Sequence, residues 1–170
     1  NTSTLGSPVF FCSSLGNDEY AQKAKTDLKN NNVAIVSAQI KNSTTGVYFS
    51  LYDSSSEPIF DANRIPKLTS DILPKNIKNY NTVCLISGVE NNIYEAILEA
   101  KKVNTNIRFC ISLSGRKSVE EVLPYLTQID ILFCNKKEAV ALVQKITGIT
   151  KAFNVKFCLD ELHKAGIKSM

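Results

Sequence analysis

Residues 82–113 read TVCLISGVENNIYEAILEAKKVNTNIRFCISL. Val83 to Ile86 is a short apolar run of strand length. Asn92 to Val103 then puts Ile93, Ala96, Ile97 and Ala100 on one face at helical spacing. Ile107 to Leu113 returns to a nearly continuous apolar run. Two largely apolar strands, joined by an amphipathic helix, make a parallel pair with a crossover, in a sheet covered on both faces.

The same rhythm continues downstream. Val119 to Leu126 reads as a helix, Ile129 to Phe133 as a strand and Lys136 to Ile146 as a helix. Val155 to Ala165 is a last helix, with Gly166 as its stop. Ile167 to Met170 looks like the start of another strand, where the sheet is expected to continue. The sequence opens on Asn1 and closes in this run, so it is expected to be truncated at both ends.

Upstream, Pro8 to Leu15 reads as a buried strand and Asp18 to Asn30 as a helix, with Asn17 as its cap and Asn31-Asn32 as its stop. Val33 to Ala38, Gly46 to Asp53 and Pro58 to Phe60 read as strands, with Ser54-Ser55-Ser56 as a turn. Residues 33–63 break the strand–helix rhythm and are expected to form antiparallel hairpins, a small sheet projecting from the main one. Pro66 to Tyr80 is polar, with Leu68, Ile72, Leu73 and Ile77 at roughly helical spacing.

The 170 residues fit one domain, and the net charge is +4. No arginine-rich cluster accompanies that mild charge, so a nucleic-acid partner gains no support. No stretch is long and apolar enough to span a membrane as a helix, and no basic-then-apolar signal segment is seen. Cys12, Cys84, Cys110 and Cys134 sit in or beside apolar runs, and Cys158 in the last helix. Without a Cys-x-x-Cys pair they read as free thiols, which points to a reducing, cytoplasmic compartment. Asn1-Thr2-Ser3 and Asn42-Ser43-Thr44 match the glycosylation sequon by chance on that reading. No His/Cys/Asp grouping has zinc-ligand spacing, and His163 reads as exposed. No Gly-x-Ser-x-Gly elbow is present, which speaks against a serine hydrolase.

The order of segments resembles the PfkB (ribokinase) family of carbohydrate kinases over nearly the whole chain. Leu5-Gly6-Ser7-Pro8-Val9 is similar to the family's turn into a strand. Leu15-Gly16-Asn17-Asp18-Glu19-Tyr20-Ala21 keeps Gly16 and Asp18 of a Gly-x-Asp-x-x-Gly pattern and has Ala21 at its last position. Thr44-Thr45-Gly46-Val47-Tyr48 resembles the opening of the lid strand, and Asn135-Lys136-Lys137-Glu138 the Asn-x-x-Glu motif. Within the family, residues 45–53, 59–65 and Ser114-Gly115-Arg116-Lys117 are most similar to the pseudouridine-kinase branch. This chain departs from that branch at Ser87-Gly88, where an acidic and amide pair is expected. It departs again at Ile111-Ser112 in place of Asp-Pro, and at Cys134 in place of Pro. The family's Gly-Gly-x-x-x-Asn and Gly-Ala-Gly-Asp segments do not occur in residues 1–170, so no catalytic base is assigned to this sequence.

The resemblance implies an α/β, ribokinase-like fold: a mostly parallel sheet flanked by helices, with a small β lid at about 33–63. It implies a transferase that moves a phosphoryl group from ATP, with Mg²⁺, to a nucleoside or sugar, pseudouridine being the favoured substrate. Asp18, Thr45, Asp61 and Asn63 are the expected substrate-binding residues. Asn135, Glu138 and Lys117 are the expected nucleotide-side residues, with Glu138 toward the metal. Each also has a plainer reading: Asp18 as a first-turn carboxylate, Asn135 and Glu138 as a capping box, the lid residues as turn chemistry and Lys117 as a solvated lysine. Val47, Phe49 and Leu51 give the lid an apolar face on which two copies could pair. The competing expectation is a non-catalytic relative kept for binding or assembly, because the acidic positions are lost and the two segments are missing.

Overall fold

The computed structural model describes residues 2–35, 44–52, 58–64, 70–115, 118–150 and 154–170. The chain divides into two compact units, Asn1–Lys75 and Asn76–Met170.

In the first unit, strand β1 (Val9–Phe11) leads to helix α1 (Glu19–Asn30) and strand β2 (Val33–Ile35). β1 and β2 are parallel, with Val9 opposite Val33. β3 (Val47–Tyr52) and β4 (Pro58–Arg64) pair antiparallel, with Val47 opposite Arg64 and an irregularity at Leu51/Tyr52. This corrects the expected run of hairpins over 33–63. Val33–Ile35 follows a crossover helix and pairs back on β1, as a βαβ unit requires, and among the described residues only β3–β4 is an antiparallel pair. β4 is also longer than the expected Pro58 to Phe60.

The expected buried strand from Pro8 to Leu15 is shorter, and Phe10 and Phe11 are 49% and 41% exposed. Among the described residues β1 has one strand neighbour, β2. The helix cap is Asp18 rather than Asn17: the Asp18 carboxylate accepts from the Ala21 amide three residues on, the reach an N-cap needs. Between Pro66 and Tyr80, the described residues form two single-turn 3₁₀ segments, Ser70–Ile72 and Ile77–Asn79.

In the second unit β5 (Thr82–Ile86), α2 (Asn91–Val103), β6 (Arg108–Ser112), α3 (Ser118–Val122), β7 (Ile131–Phe133), α4 (Lys136–Thr147) and α5 (Val155–Lys164) follow in order. The sheet order is β5-β6-β7, all parallel. Ser169 adds a parallel bridge to Ile131, and the Leu132 amide donates to the Ser169 carbonyl at 2.9 Å. The run 167–170 therefore takes the strand-like place beside β7 that its apolar start suggests.

The core is built from the faces the periodicity marks. Ile93, Ile97 and Ala100 of α2 are buried with Phe109 and Ile111 of β6, Leu132 of β7 and Leu142 of α4. The expected helix over Val119 to Leu126 stops at Val122, and Leu123–Gln128 continues as 3₁₀. Pro124 supplies the reason, since it has no N–H for an interior α-helical bond. α5 ends as expected at Gly166, whose φ of +101° belongs to the left-handed region and lets the Ile167 amide return to the Leu162 carbonyl.

Asp130 ties the base of this sheet together. Its carboxylate accepts from Lys101 on α2, from the Phe109 amide at 2.8 Å and from Lys168 at 2.6 Å. Burial, the largest influence, pushes its carboxyl up; the Lys101 and Lys168 hydrogen bonds and the Phe109 amide outweigh it and hold the group at about 2.

Candidate functional site

Two groups of sequence-predicted residues are brought together, one in each unit. In the first unit, Asp18 meets Thr45 across 27 residues of sequence. The Thr45 amide donates to Asp18 Oδ2 at 2.6 Å, and the Thr45 hydroxyl donates to Oδ1 at 2.6 Å. Oδ1 also accepts from the Ala21 amide at 2.9 Å, and the Gly16 amide donates to Thr45 Oγ1 at 3.2 Å. The Thr45 hydroxyl lowers the Asp18 carboxyl most, followed by the Ala21 and Thr45 amides. Asp18 thus caps α1 and fixes the residue two before β3. Asp61 and Asn63 lie in β4, opposite Ser50 and Tyr48.

In the second unit, the site forms at the carboxyl ends of parallel strands, where ligands bind in open α/β sheets. β7 runs into Asn135, which caps α4, and Glu138 follows at the third helical position. Asn135 Oδ1 accepts from the Glu138 amide at 3.0 Å, and Glu138 Oε2 accepts from the Asn135 amide at 2.9 Å. This is the capping box the spacing allows. Glu138 does more: its Oε1 accepts from the Gly115 amide at 2.8 Å, tying the turn after β6 to the start of α4. The carboxylate is 5% exposed, and two backbone N–H groups offset the cost of its burial. A carboxylate has about four acceptor positions, so positions remain for a ligand's proton donors.

Beside it opens a cleft of ≈ 620 Å³, lined in part by Ser112, Phe133, Asn135, Lys136, Glu138 and Cys158. Burial raises the Cys134 thiol, with Glu138 and Cys158 adding to it, and burial also raises Cys158. Both cleft thiols therefore stay neutral near neutral pH. On the neighbouring turn, Ser87 Oγ accepts from the Ser114 amide at 2.8 Å, and the Ser118 hydroxyl donates to the Gly115 carbonyl at 2.7 Å. Sequence reasoning named Ser87 and Gly115 only as points of family comparison and missed Ser118, because their roles come from turns that meet in space. The one available signal for Gly115 was its glycine in a Ser-Gly turn, and its φ is +85°. Lys117 lies outside the described residues.

Against known proteins, the model of the pfkB family carbohydrate kinase matches residues 1–169. The chain belongs to the pfkB carbohydrate kinase family. No curated protein matches it. Among solved structures, this pfkB chain is similar to adenosine kinase from Sinorhizobium meliloti (TM-score 0.77, 15% identity, covering 98% of this chain and 53% of that one). It is similar to fructokinase from Xylella fastidiosa (TM-score 0.70, 13% identity, 99% and 55%). It is also similar to ribokinase from Giardia lamblia (TM-score 0.68, 16% identity, 94% and 51%). The fold is therefore ribokinase-like, and the chain spans about half the length of these structures. No helix among the described residues is long and apolar enough to cross a membrane.

Proposed function

We propose that this chain is the lid-bearing and metal-organising portion of an ATP-dependent sugar or nucleoside kinase, with pseudouridine as the substrate of first choice. The observation that carries the reading is Glu138. It is a buried carboxylate held by two backbone amides, with acceptor positions to spare, on a cleft at the carboxyl ends of β6 and β7.

Phosphoryl transfer rests on positioning and on neutralising charge. Mg²⁺, when bound with ATP, supplies that neutralisation at the phosphates. Glu138 would accept hydrogen bonds from the metal's waters, a role that suits a hard cation keeping much of its hydration shell. Asn135 holds the start of α4, whose N-terminal dipole favours anions. Asp18 and Thr45 brace the entry to the β3–β4 hairpin, and Asp61 and Asn63 on β4 are the residues we assign to the substrate. In this proposal Lys117 contributes to the phosphates. No base or phosphate cradle is assigned within residues 1–170, and in this proposal two copies pair through the hairpin.

ATP-dependent phosphorylation of a panel of nucleosides and sugars by the longest native form is the test. Turnover that peaks on pseudouridine is expected. A folded protein that phosphorylates no member of the panel overturns the kinase reading.

A second reading has its own support. Ser87 stands where an acidic residue is expected, and its neutral hydroxyl accepts from the Ser114 amide. A non-catalytic relative kept for binding or assembly follows from that. It requires no Mg²⁺-dependent nucleotide binding in calorimetry, and tight MgATP binding rejects it.

A further inference from the structure

Cys84 and Cys110 are in-register neighbours on the adjacent parallel strands β5 and β6. In-register residues of paired strands point to the same face of the sheet. Cys84 is exposed, whereas Cys110 is 3% exposed, and both are free thiols. Their side chains are close enough to influence each other. Burial raises the Cys110 thiol most, to about 11, and Cys84 adds to this both as a neighbouring charge and as a hydrogen-bond partner. Farther along the same face Ile86 and Phe133 are 68% and 54% exposed, so the approach to Cys84 is open and apolar.

Spacing decides what such a pair can hold. In-register side chains stand roughly perpendicular to the sheet, so their Cβ atoms keep about the 4.8 Å strand spacing, whereas a disulfide needs Cβ atoms about 3.5–4.5 Å apart. A direct S–S bond would tilt the two Cβ atoms toward each other, away from the parallel directions the ladder sets. One larger atom between the two sulfurs spans the gap with the strands left in place. Soft sulfur ligands select soft centres. A neutral, buried thiol favours a partner that supplies its own acceptor for the proton.

We propose that Cys84 and Cys110 form a two-thiol capture site for a soft, thiophilic centre of the trivalent arsenic kind, bridging β5 and β6. The chemistry balances without an oxidant. In R–As=O both bonds to oxygen break, two As–S bonds form, and the two thiol protons leave with that oxygen as one water. Cys84 reacts first because it is exposed, and Cys110 closes the bridge.

The probe is phenylarsine oxide at one equivalent, read by native intact-mass spectrometry on the folded protein. The unmodified protein and the cleft variant C134S are expected to gain one phenylarsenic unit, removable by a small dithiol and resistant to a monothiol. The exposed-site variant C84S, which disturbs no core packing, is expected to hold it about a hundredfold more weakly, since a single sulfur loses the second attachment. Retention in C84S, loss in C134S or ready stripping by a monothiol overturns the site. Clean conversion of the pair to an internal disulfide by glutathione disulfide, with a loss of two hydrogens in mass, overturns the spacing argument.

Discussion

Thr45 donates twice to one carboxylate, its amide to Asp18 Oδ2 and its hydroxyl to Asp18 Oδ1, each at 2.6 Å. The hydroxyl is the leading reason the Asp18 carboxyl sits below its ordinary value. A depressed carboxyl contributes stability above its unfolded value, and the contribution is lost as pH falls through the folded one. T45V is therefore expected to lower the urea midpoint at pH 7, and its deficit should shrink as the solution is acidified below pH 4. Urea midpoints at a series of pH values check this. A deficit that stays constant with pH would assign the hydroxyl's contribution to packing and to the Gly16 amide alone.

Tyr94 on α2 is fully buried and stacks on Tyr125 with ring centroids 4.8 Å apart and planes within 5°. Among the described residues its hydroxyl has no hydrogen-bond partner. Burial, with Glu121 and Tyr125 adding, raises that hydroxyl well above its usual range. Removing an unsatisfied buried polar group while keeping the ring relieves a desolvation cost. Y94F is expected to stabilise the protein by about 1 kcal/mol, measured by equilibrium denaturation. A loss of that size would mean the hydroxyl has a partner in solution.

The parallel sheet was legible because its strands carry continuous apolar runs separated by 3.6-periodic helices. Of the expected face, Ile93, Ile97 and Ala100 fall in the core, and Ala96 is half-buried at its margin. The Asn135–Glu138 capping box was legible because it is local. Three things were not. The partner of Val33–Ile35 depends on a crossover through α1, and a β-rich stretch alone does not say which strand it joins. The break in the helix after Val122 turns on a single residue, Pro124, inside an otherwise helical pattern. The tie from Glu138 to Gly115 and the Lys101–Asp130–Lys168 cluster join residues 23 to 38 positions apart, a distance over which periodicity carries no information.

Asp130 makes the acid limit of the second unit predictable. Its folded carboxyl lies at about 2 against an ordinary 3.8. The stabilisation is complete above the ordinary value and is lost between about pH 4 and pH 2. D130N keeps the size of the side chain and removes the charge facing Lys101 and Lys168. It is expected to cost on the order of 1 kcal/mol at pH 7, because Lys168 is solvent-screened, and to flatten the acid limb of the stability profile in that window. An unchanged acid limb would show that other carboxylates set it.

Glu138 separates architecture from function through two substitutions. E138A strips the acceptor from both the Gly115 and Asn135 amides, which the native carboxylate holds at 2.8 and 2.9 Å. Hydrogen bonds to a charged group contribute about 1.5–3 kcal/mol each, so E138A is expected to lose stability on that scale. E138Q keeps the length of the side chain and one carbonyl acceptor, and its amide nitrogen cannot accept from the second N–H. Its stability loss should be the smaller of the two. If the carboxylate orients metal-bound water, E138Q should still weaken Mg²⁺-dependent nucleotide binding by about 10–100-fold, the usual effect of an outer-sphere metal partner. Calorimetry with ATP, with and without Mg²⁺, reads this on folded protein. Weakened binding only in the presence of Mg²⁺ places Glu138 in the metal's outer sphere. Unchanged binding in E138Q, alongside a destabilised E138A, leaves Glu138 as the cap of α4 and the anchor of the Gly115 turn.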